Sequence, residues 1–224
     1  MIQLIQPLGD VAILLTFGSQ INTDTNNEIV NYVHSLKKVK IDGVLEIIPA
    51  YVTITIQYDF FKISYKELKE KLESLVVAEV DTRQTKTIKI PVCYDTSLSK
   101  DLKEVMSYTG MSKEEIILTH TSKDYLVYML GFMPGFFYLG GMDTRLFCPR
   151  KEKPRLKIEA GSVGIAGEQT GVYSLDSPGG WQIIGKTPLL VFDKNRKENF
   201  FLVNQGDTIR FYEISYEEFK QYQK

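Results

Sequence analysis

The sequence predicts two parts: an α+β unit over residues 1–84 and a mainly β unit over residues 85–224. Three observations carry that prediction. Strand-length apolar runs alternate with helix-period segments through the first ninety or so residues. From Tyr125 onward, short strands and turns dominate. Eleven of the sixteen glycines lie between Gly131 and Gly185. A chain of 224 residues holds either one large domain or two small ones. The change of pattern puts the boundary near residues 82–87.

The first unit reads in order. Residues 1–6 can add an edge strand, and residues 11–17 are an apolar run of strand length. Thr23 or Asp24 caps a helix carrying Ile29, Val30, Val33 and Leu36 on one face. The cluster Lys37-Lys38-Val39-Lys40 complements that helix's C-terminus. Residues 43–50 and 52–58 read as strands; the second alternates Val52, Ile54 and Ile56 with Thr53, Thr55 and Gln57. Ser64 and Glu67 form a capping box ahead of Leu68, Leu72 and Leu75 at helical spacing. Residues 87–92 read as a closing strand. The order β-α-β-β-α-β is the ferredoxin-like pattern.

The second unit opens with a short amphipathic helix over residues 99–109, ended by Gly110. Ser112 and Glu115 cap another helix running toward His120. YLVYML (125–130), the glycine-rich strings, PLLVF (188–192) and DTIRFYEI (207–214) supply strands. Asp193-Lys194-Asn195 and Gly206-Asp207 mark turns. Ser215 and Glu218 cap a final helix. This half is a barrel or sandwich.

Composition bounds the function. The net charge of −1 comes from 27 basic and 28 acidic residues, so no field of one sign steers nucleic acid or an anionic membrane. No apolar run reaches the ~20 residues of a membrane span. The start MIQLIQPLGD has no signal-peptide features. Cys93 and Cys148 fit no metal spacing, and with two histidines in the chain no metal site is expected. The expected compartment is the cytoplasm.

Three strings concentrate chemistry: GFMPGFFYLGG (131–141), AGSVGIAGEQTGVY (160–173) and SPGGWQIIGKTP (177–188). Pro134-Gly135 and Gly140-Gly141 signal turns. Phe132, Phe136, Phe137 and Tyr138 cannot all face one core across them, so they line a groove or form an aromatic corner. Gln169, Thr170, Tyr173 and Ser177 bring amide and hydroxyl groups amid Gly179 and Gly180. That set suits a cyclic amide or a carboxylate. Trp181 joins it or plugs the barrel. Arg150 and Arg155 each follow a proline that stiffens the loop. They offer planar forks to an anion, or else make ordinary surface ion pairs. His120 is a proton carrier near neutral pH or a helix-end histidine. His34, in the first helix, is structural or exposed. Gly185-Lys186-Thr187 ends like a phosphate loop but lacks its earlier glycine, and no G-x-S-x-G elbow is present.

These strings, in this order, resemble the family of the 5-oxoprolinase B subunit, from about Asp101 to Phe219. That family includes the kinase inhibitor KipI and allophanate hydrolase subunit 1, and is similar to part of the urea carboxylase carboxyltransferase domain. The resemblance implies a ferredoxin-like domain followed by a cyclophilin-like β-barrel domain. It implies a non-autonomous component of an ATP-dependent 5-oxoprolinase, working with A and C subunits, with ATP and Mg²⁺ acting in the assembled enzyme and none held by this chain alone. The alternatives are a KipI-like inhibitor of a sensor histidine kinase and a subunit 1 of an allophanate hydrolase or urea carboxylase-type enzyme. Peptidyl-prolyl isomerase activity, prompted by the barrel, ranks last, because fold does not imply activity.

The resemblance also implies a histidine ahead of YLVYMLGF, the place of His120. His120, Arg150 and Arg155 are expected to converge as catalytic residues. Phe132, Pro134, Gly135, Phe136, Tyr138, Gln169, Thr170, Tyr173, Ser177, Gly179, Gly180 and Trp181 are expected to bind substrate or partner. Two departures add negative charge: Glu159 stands where the family usually has proline, and Glu168 where it often has glycine. The loop between Tyr94 and Asp101 is shorter than usual.

Overall fold

The computed structural model describes residues 2–79, 86–196 and 198–222. The chain divides into two compact units, Met1–Gln84 and Thr85–Lys224. Residues 80–85, which contain most of the expected boundary, lie outside the described residues.

The first unit runs β1 (Leu4–Leu8), β2 (Ala12–Thr16), α1 (Thr23–Val39), β3 (Val44–Pro49), β4 (Thr53–Tyr58) and α2 (Tyr65–Glu73). Its sheet has the order β1-β2-β4-β3, antiparallel throughout. Period-2 alternation puts Ile13, Leu15, Ile54 and Ile56 on one face, where they pack with Ile29 and Leu36 of α1 and Leu68 and Leu72 of α2. Asn22 caps α1, one residue before the expected Thr23, and its side chain accepts the Thr25 N–H at 2.8 Å. The Ser64–Glu67 capping box closes in both directions.

One expectation is corrected here. Residues 87–92 do form a strand, β5 (Thr87–Val92), but it does not close the first sheet. It pairs with the last strand of the second unit, and β1 takes the outer place beside β2. Local alternation makes a segment extended, but it does not select the partner. Ile90 and Val92 are buried in the second unit's core.

The second unit continues with α3 (Leu102–Thr109), α4 (Lys113–Thr121), β6 (Asp124–Leu130), β7 (Phe137–Gly140), a 3-10 turn (Thr144–Leu146), β8 (Arg155–Ile158), β9 (Ser162–Ala166), β10 (Gln169–Val172), β11 (Ser177–Gly179), β12 (Gln182–Lys186), β13 (Thr208–Glu213) and α5 (Tyr216–Gln221). It is mostly β, with a few helices. Seven strands follow the order β12-β9-β10-β7-β6-β13-β5. Every pairing is antiparallel except that of β13 with β5. Just past β5, Cys93 exchanges both backbone hydrogen bonds with Lys186 of β12, at 2.9 and 3.0 Å. That bridge joins the two edges, so the sheet is a nearly closed barrel. Strands β8 and β11 form a separate small ribbon. PLLVF is not a strand; only an isolated bridge between Phe192 and Phe201 remains of it.

Gly110 ends α3 in the left-handed region, and capping boxes start α4 and α5. The two faces of the seven-stranded sheet differ. Phe137, Leu139, Val163, Ile165, Val172 and Ile184 point into the main core. The alternate residues Phe136, Tyr173, Trp181 and Ile183 make a second cluster on the opposite face.

Candidate functional site

Glycines shape the opposite face. Tyr138, Gly171, Gly164 and Ile183 lie in one row across β7, β10, β9 and β12. The two adjacent glycines leave a trough, and Trp181 lies in it. A Cβ on Gly171 would stand 2.7 Å from the Phe137 carbonyl and 3.2 Å from the Trp181 ring. Phe136 is the hub of the aromatic cluster. It makes edge-to-face contacts with Phe132, Tyr138, Tyr173 and Trp181, at centroid distances of 5.6, 4.8, 5.2 and 5.4 Å. Gly179 has no room for a side chain, because a Cβ there would strike the Tyr173 hydroxyl.

These rings wall a cleft of 230 Å³. Its far side is Pro178-Gly179-Gly180, and its rim carries Arg150 and Pro154. Burial pushes the Tyr173 phenol up to about 12, against a hydrogen bond from the Trp181 backbone and the nearby charges of Arg150 and Arg155. Burial raises Tyr138 as well, opposed by Arg150. Larger grooves of 540 and 910 Å³ lie on the first unit, but no arginine lines them.

A charged cluster fixes the rim loop. Asp101, 3% exposed, starts α3 but makes no side-chain cap to it. Its carboxylate instead accepts both terminal nitrogens of Arg155, Lys151 Nζ at 3.2 Å and the Ile183 N–H at 2.7 Å. Burial raises the Asp101 carboxyl, but the bonds from Arg155, Ile183 and Lys151 outweigh it and hold the group below its ordinary value. Lys151 also reaches Glu104 at 2.5 Å, and Gln182 joins Glu104 to the Pro149 carbonyl.

The expected triad does not assemble. Arg150 lines the cleft, and Arg155 lies next to Pro154 of its rim, tied to Asp101. His120 is on the other side of β10. It is fully buried, stacked on Phe211 at 4.6 Å. Tyr94 Oη–H donates to its Nδ1 at 2.7 Å. Thr170 donates to the Gly164 carbonyl at 3.1 Å, which leaves its oxygen to accept the Nε2–H at 2.9 Å. That network holds a neutral imidazole, and burial depresses its pKa to about 3. A proton carrier for the cleft would need access that His120 lacks. Its residue type fits a core polar network equally well.

The other expected residues divide. Phe132, Phe136, Tyr138, Tyr173, Gly179, Gly180 and Trp181 line the cleft. Thr170 belongs to the His120 network. Pro134 and Gly135 form the turn beneath Phe132, closed by the Phe136 N–H to the Met133 carbonyl at 3.1 Å. Gln169, at the start of β10, and Ser177, on β11, are not among the lining residues. The charge added by Glu159 is balanced by Lys186 at 2.6 Å and Lys100 at 3.5 Å. Among the described residues no group of three His, Cys, Asp or Glu side chains could hold a metal ion, and no helix is long and apolar enough to cross a membrane.

The family model for the carboxyltransferase domain, subdomains C and D, matches residues 3–202. The 5-oxoprolinase B subunit of Bacillus subtilis is 40% identical, covering 98% of this chain and 96% of that protein. The chain belongs to the 5-oxoprolinase B-subunit family. Carboxyltransferase-domain relatives extend further. The urea amidolyase of Saccharomyces cerevisiae is 26% identical over 94% of this chain, which spans 13% of that enzyme. The crystal structure of TTHA0988 superposes with a TM-score of 0.81 at 35% identity, over 91% of this chain and 40% of that one. In this member of the 5-oxoprolinase B-subunit family, the aromatic cleft is built from the strings that carried the resemblance.

Proposed function

We propose that this chain is the B subunit of an ATP-dependent 5-oxoprolinase, which converts 5-oxo-L-proline, ATP and water to L-glutamate, ADP and phosphate together with A and C subunits. The observation that carries the proposal is the 40% identity to the corresponding Bacillus subtilis protein across essentially both chains. A lactam carbonyl resists direct attack by water, and ATP supplies the activation. On this reading ATP with Mg²⁺ acts in the assembled enzyme, as the family resemblance implies. The cyclophilin-like reading of the second unit is supported by closure at Cys93, and the ferredoxin-like reading of the first by its split β-α-β order.

The similarity to urea amidolyase favours a second reading, an allophanate hydrolase or urea carboxylase-type subunit, on lower identity. The test is co-expression with A- and C-subunit homologues, followed by assay of ATP-dependent glutamate release from 5-oxoproline. The complex should turn over and the lone chain should not. Turnover by the lone chain defeats the non-autonomous reading. A complex that spares 5-oxoproline but consumes allophanate replaces the substrate.

A further inference from the structure

We propose that the cleft under Phe132 binds a small flat ring bearing a carboxylate on this chain itself, with Arg150 taking the carboxylate and Phe132 covering the ring. Only the choice of 5-oxo-L-proline as the first probe rests on the functional reading above.

Arg150 differs from its neighbours. Lys151 and Arg155 are committed to Asp101 and Glu104. Arg150 is exposed, and among the described residues no carboxylate pairs with it. Its backbone is nevertheless held on both sides. The Pro149 carbonyl accepts from Gln182 at 3.2 Å, and the Lys151 N–H donates to the Gly180 carbonyl at 2.7 Å. The backbone that carries Arg150 is thus fixed at the cleft, and its guanidinium offers a planar fork that matches a carboxylate. The cleft sets the size of the ligand: 230 Å³ is the volume of about eight liquid waters at ~30 Å³ each.

Phe132 is the second, independent observation. It has φ +68°, in the left-handed region. Bulky side chains avoid that region, and such outliers cluster at functional sites. The residue is 63% exposed, so core packing does not require it. The turn does not require it either, because Pro134 and Gly135, with φ +77°, make the reversal. Ser174 fastens that turn through the Pro134 carbonyl at 2.6 Å. An aromatic residue with a left-handed backbone, next to a fastened turn, thus lines an aromatic cleft.

Isothermal titration without nucleotide, on the full chain and on its complex with the C-subunit homologue, tests the site. 5-Oxo-L-proline should bind saturably. 2-Pyrrolidinone, which keeps the ring and lacks the carboxylate, should bind at least tenfold more weakly. Arg150→Gln should lose at least tenfold in affinity, and Arg150→Lys should recover part of it. Phe132→Asn, which tolerates the left-handed backbone, should lose at least fivefold without a lower unfolding midpoint, while Phe132→Tyr should bind like the parent. Trp181, the sole tryptophan, should report the same titration by fluorescence in the lone chain. Binding of allophanate in place of 5-oxoproline, with the same dependence on Arg150 and Phe132, keeps the site and replaces the functional reading. Unchanged affinity in Arg150→Gln and Phe132→Asn, or no saturable binding of either carboxylate to chain or complex, overturns the site even if the complex turns over. Loss of the C-subunit homologue from either variant, with ligand affinity intact, makes this face an interface and also overturns it.

Discussion

Acid should destabilise this protein through His120 well before its carboxylates titrate. The folded imidazole is neutral, with its pKa depressed to about 3 by burial. In the unfolded chain a histidine takes a proton near 6.5. Between those values the unfolded state binds more protons, so stability is full above about pH 6.5 and declines as pH falls. At pH 5 the unfolded state gains RT ln(1 + 10^1.5), about 2.1 kcal/mol, against about 0.2 kcal/mol at pH 7. The predicted loss from pH 7 to 5 is therefore about 2 kcal/mol, or about 4–8 °C in Tm for a chain of this size. Asp101 and Glu104, both held below their ordinary values, lose their stabilisation only as pH falls toward and below about 4. The window from 7 to 5 therefore isolates the imidazole. Denaturant unfolding at pH 7, 6 and 5 should give a slope for the parent that His120→Gln, which carries no charge at any pH, lacks. Equal slopes would refute the buried neutral histidine, whatever the absolute stability of the variant.

The remaining predictions concern the cleft and its rim. Phe136→Ala should cost about 3–5 kcal/mol, because Phe136 is 1% exposed at the hub of four ring contacts; thermal unfolding checks it, and a midpoint within about 2 °C of the parent would contradict its core role. Gly171→Ala should cost about 1–3 kcal/mol through overpacking and shift the Trp181 emission, since the added Cβ meets the Phe137 carbonyl and the indole. Asp101→Asn should cost about 2–3 kcal/mol, less than a fully buried pair, because Arg155 keeps 26% of its side chain exposed. Urea unfolding measures that loss, and combining it with Arg155→Gln should give less than the sum of the two single effects.

Signals carried by local chemistry were legible in the sequence. Ser64–Glu67, Ser112–Glu115 and Ser215–Glu218 each form the capping box their spacing predicts, and Gly110 takes the left-handed cap. The aromatic-glycine strings do build one cleft, because period-2 alternation carries Phe136, Tyr138, Tyr173 and Trp181 to one side of the sheet. What local pattern does not encode is the partner. Residues 87–92 were legible as a strand, but their pairing with the last strand of the chain was not. His120 and Arg150 looked equally available as reactive groups. Their difference lies in Tyr94, Thr170 and Phe211, which enclose the histidine and come from distant segments. Asp101 carried no signal of its own within the expected helix over residues 99–109, and only the fold turns its carboxylate toward Arg155 and Lys151.

The pairing of β5 with β13 fixes when this barrel can form. The Lys86 N–H donates to the Asp207 carboxylate at 3.1 Å, and the two lie 121 residues apart in the chain. At about 5–20 residues per second of synthesis, β5 leaves the ribosome roughly 6–24 s before its mate. During that interval Ile90 and Val92 have no sheet to enter, and the seam at Cys93 waits for β12 as well. Long-range closure of this kind slows folding and lengthens the exposure of unpaired strands. Nascent-chain truncations ending before residue 208 should thus be protease-sensitive throughout the second unit, while the first unit, whose sheet is complete by Tyr58, is already protected.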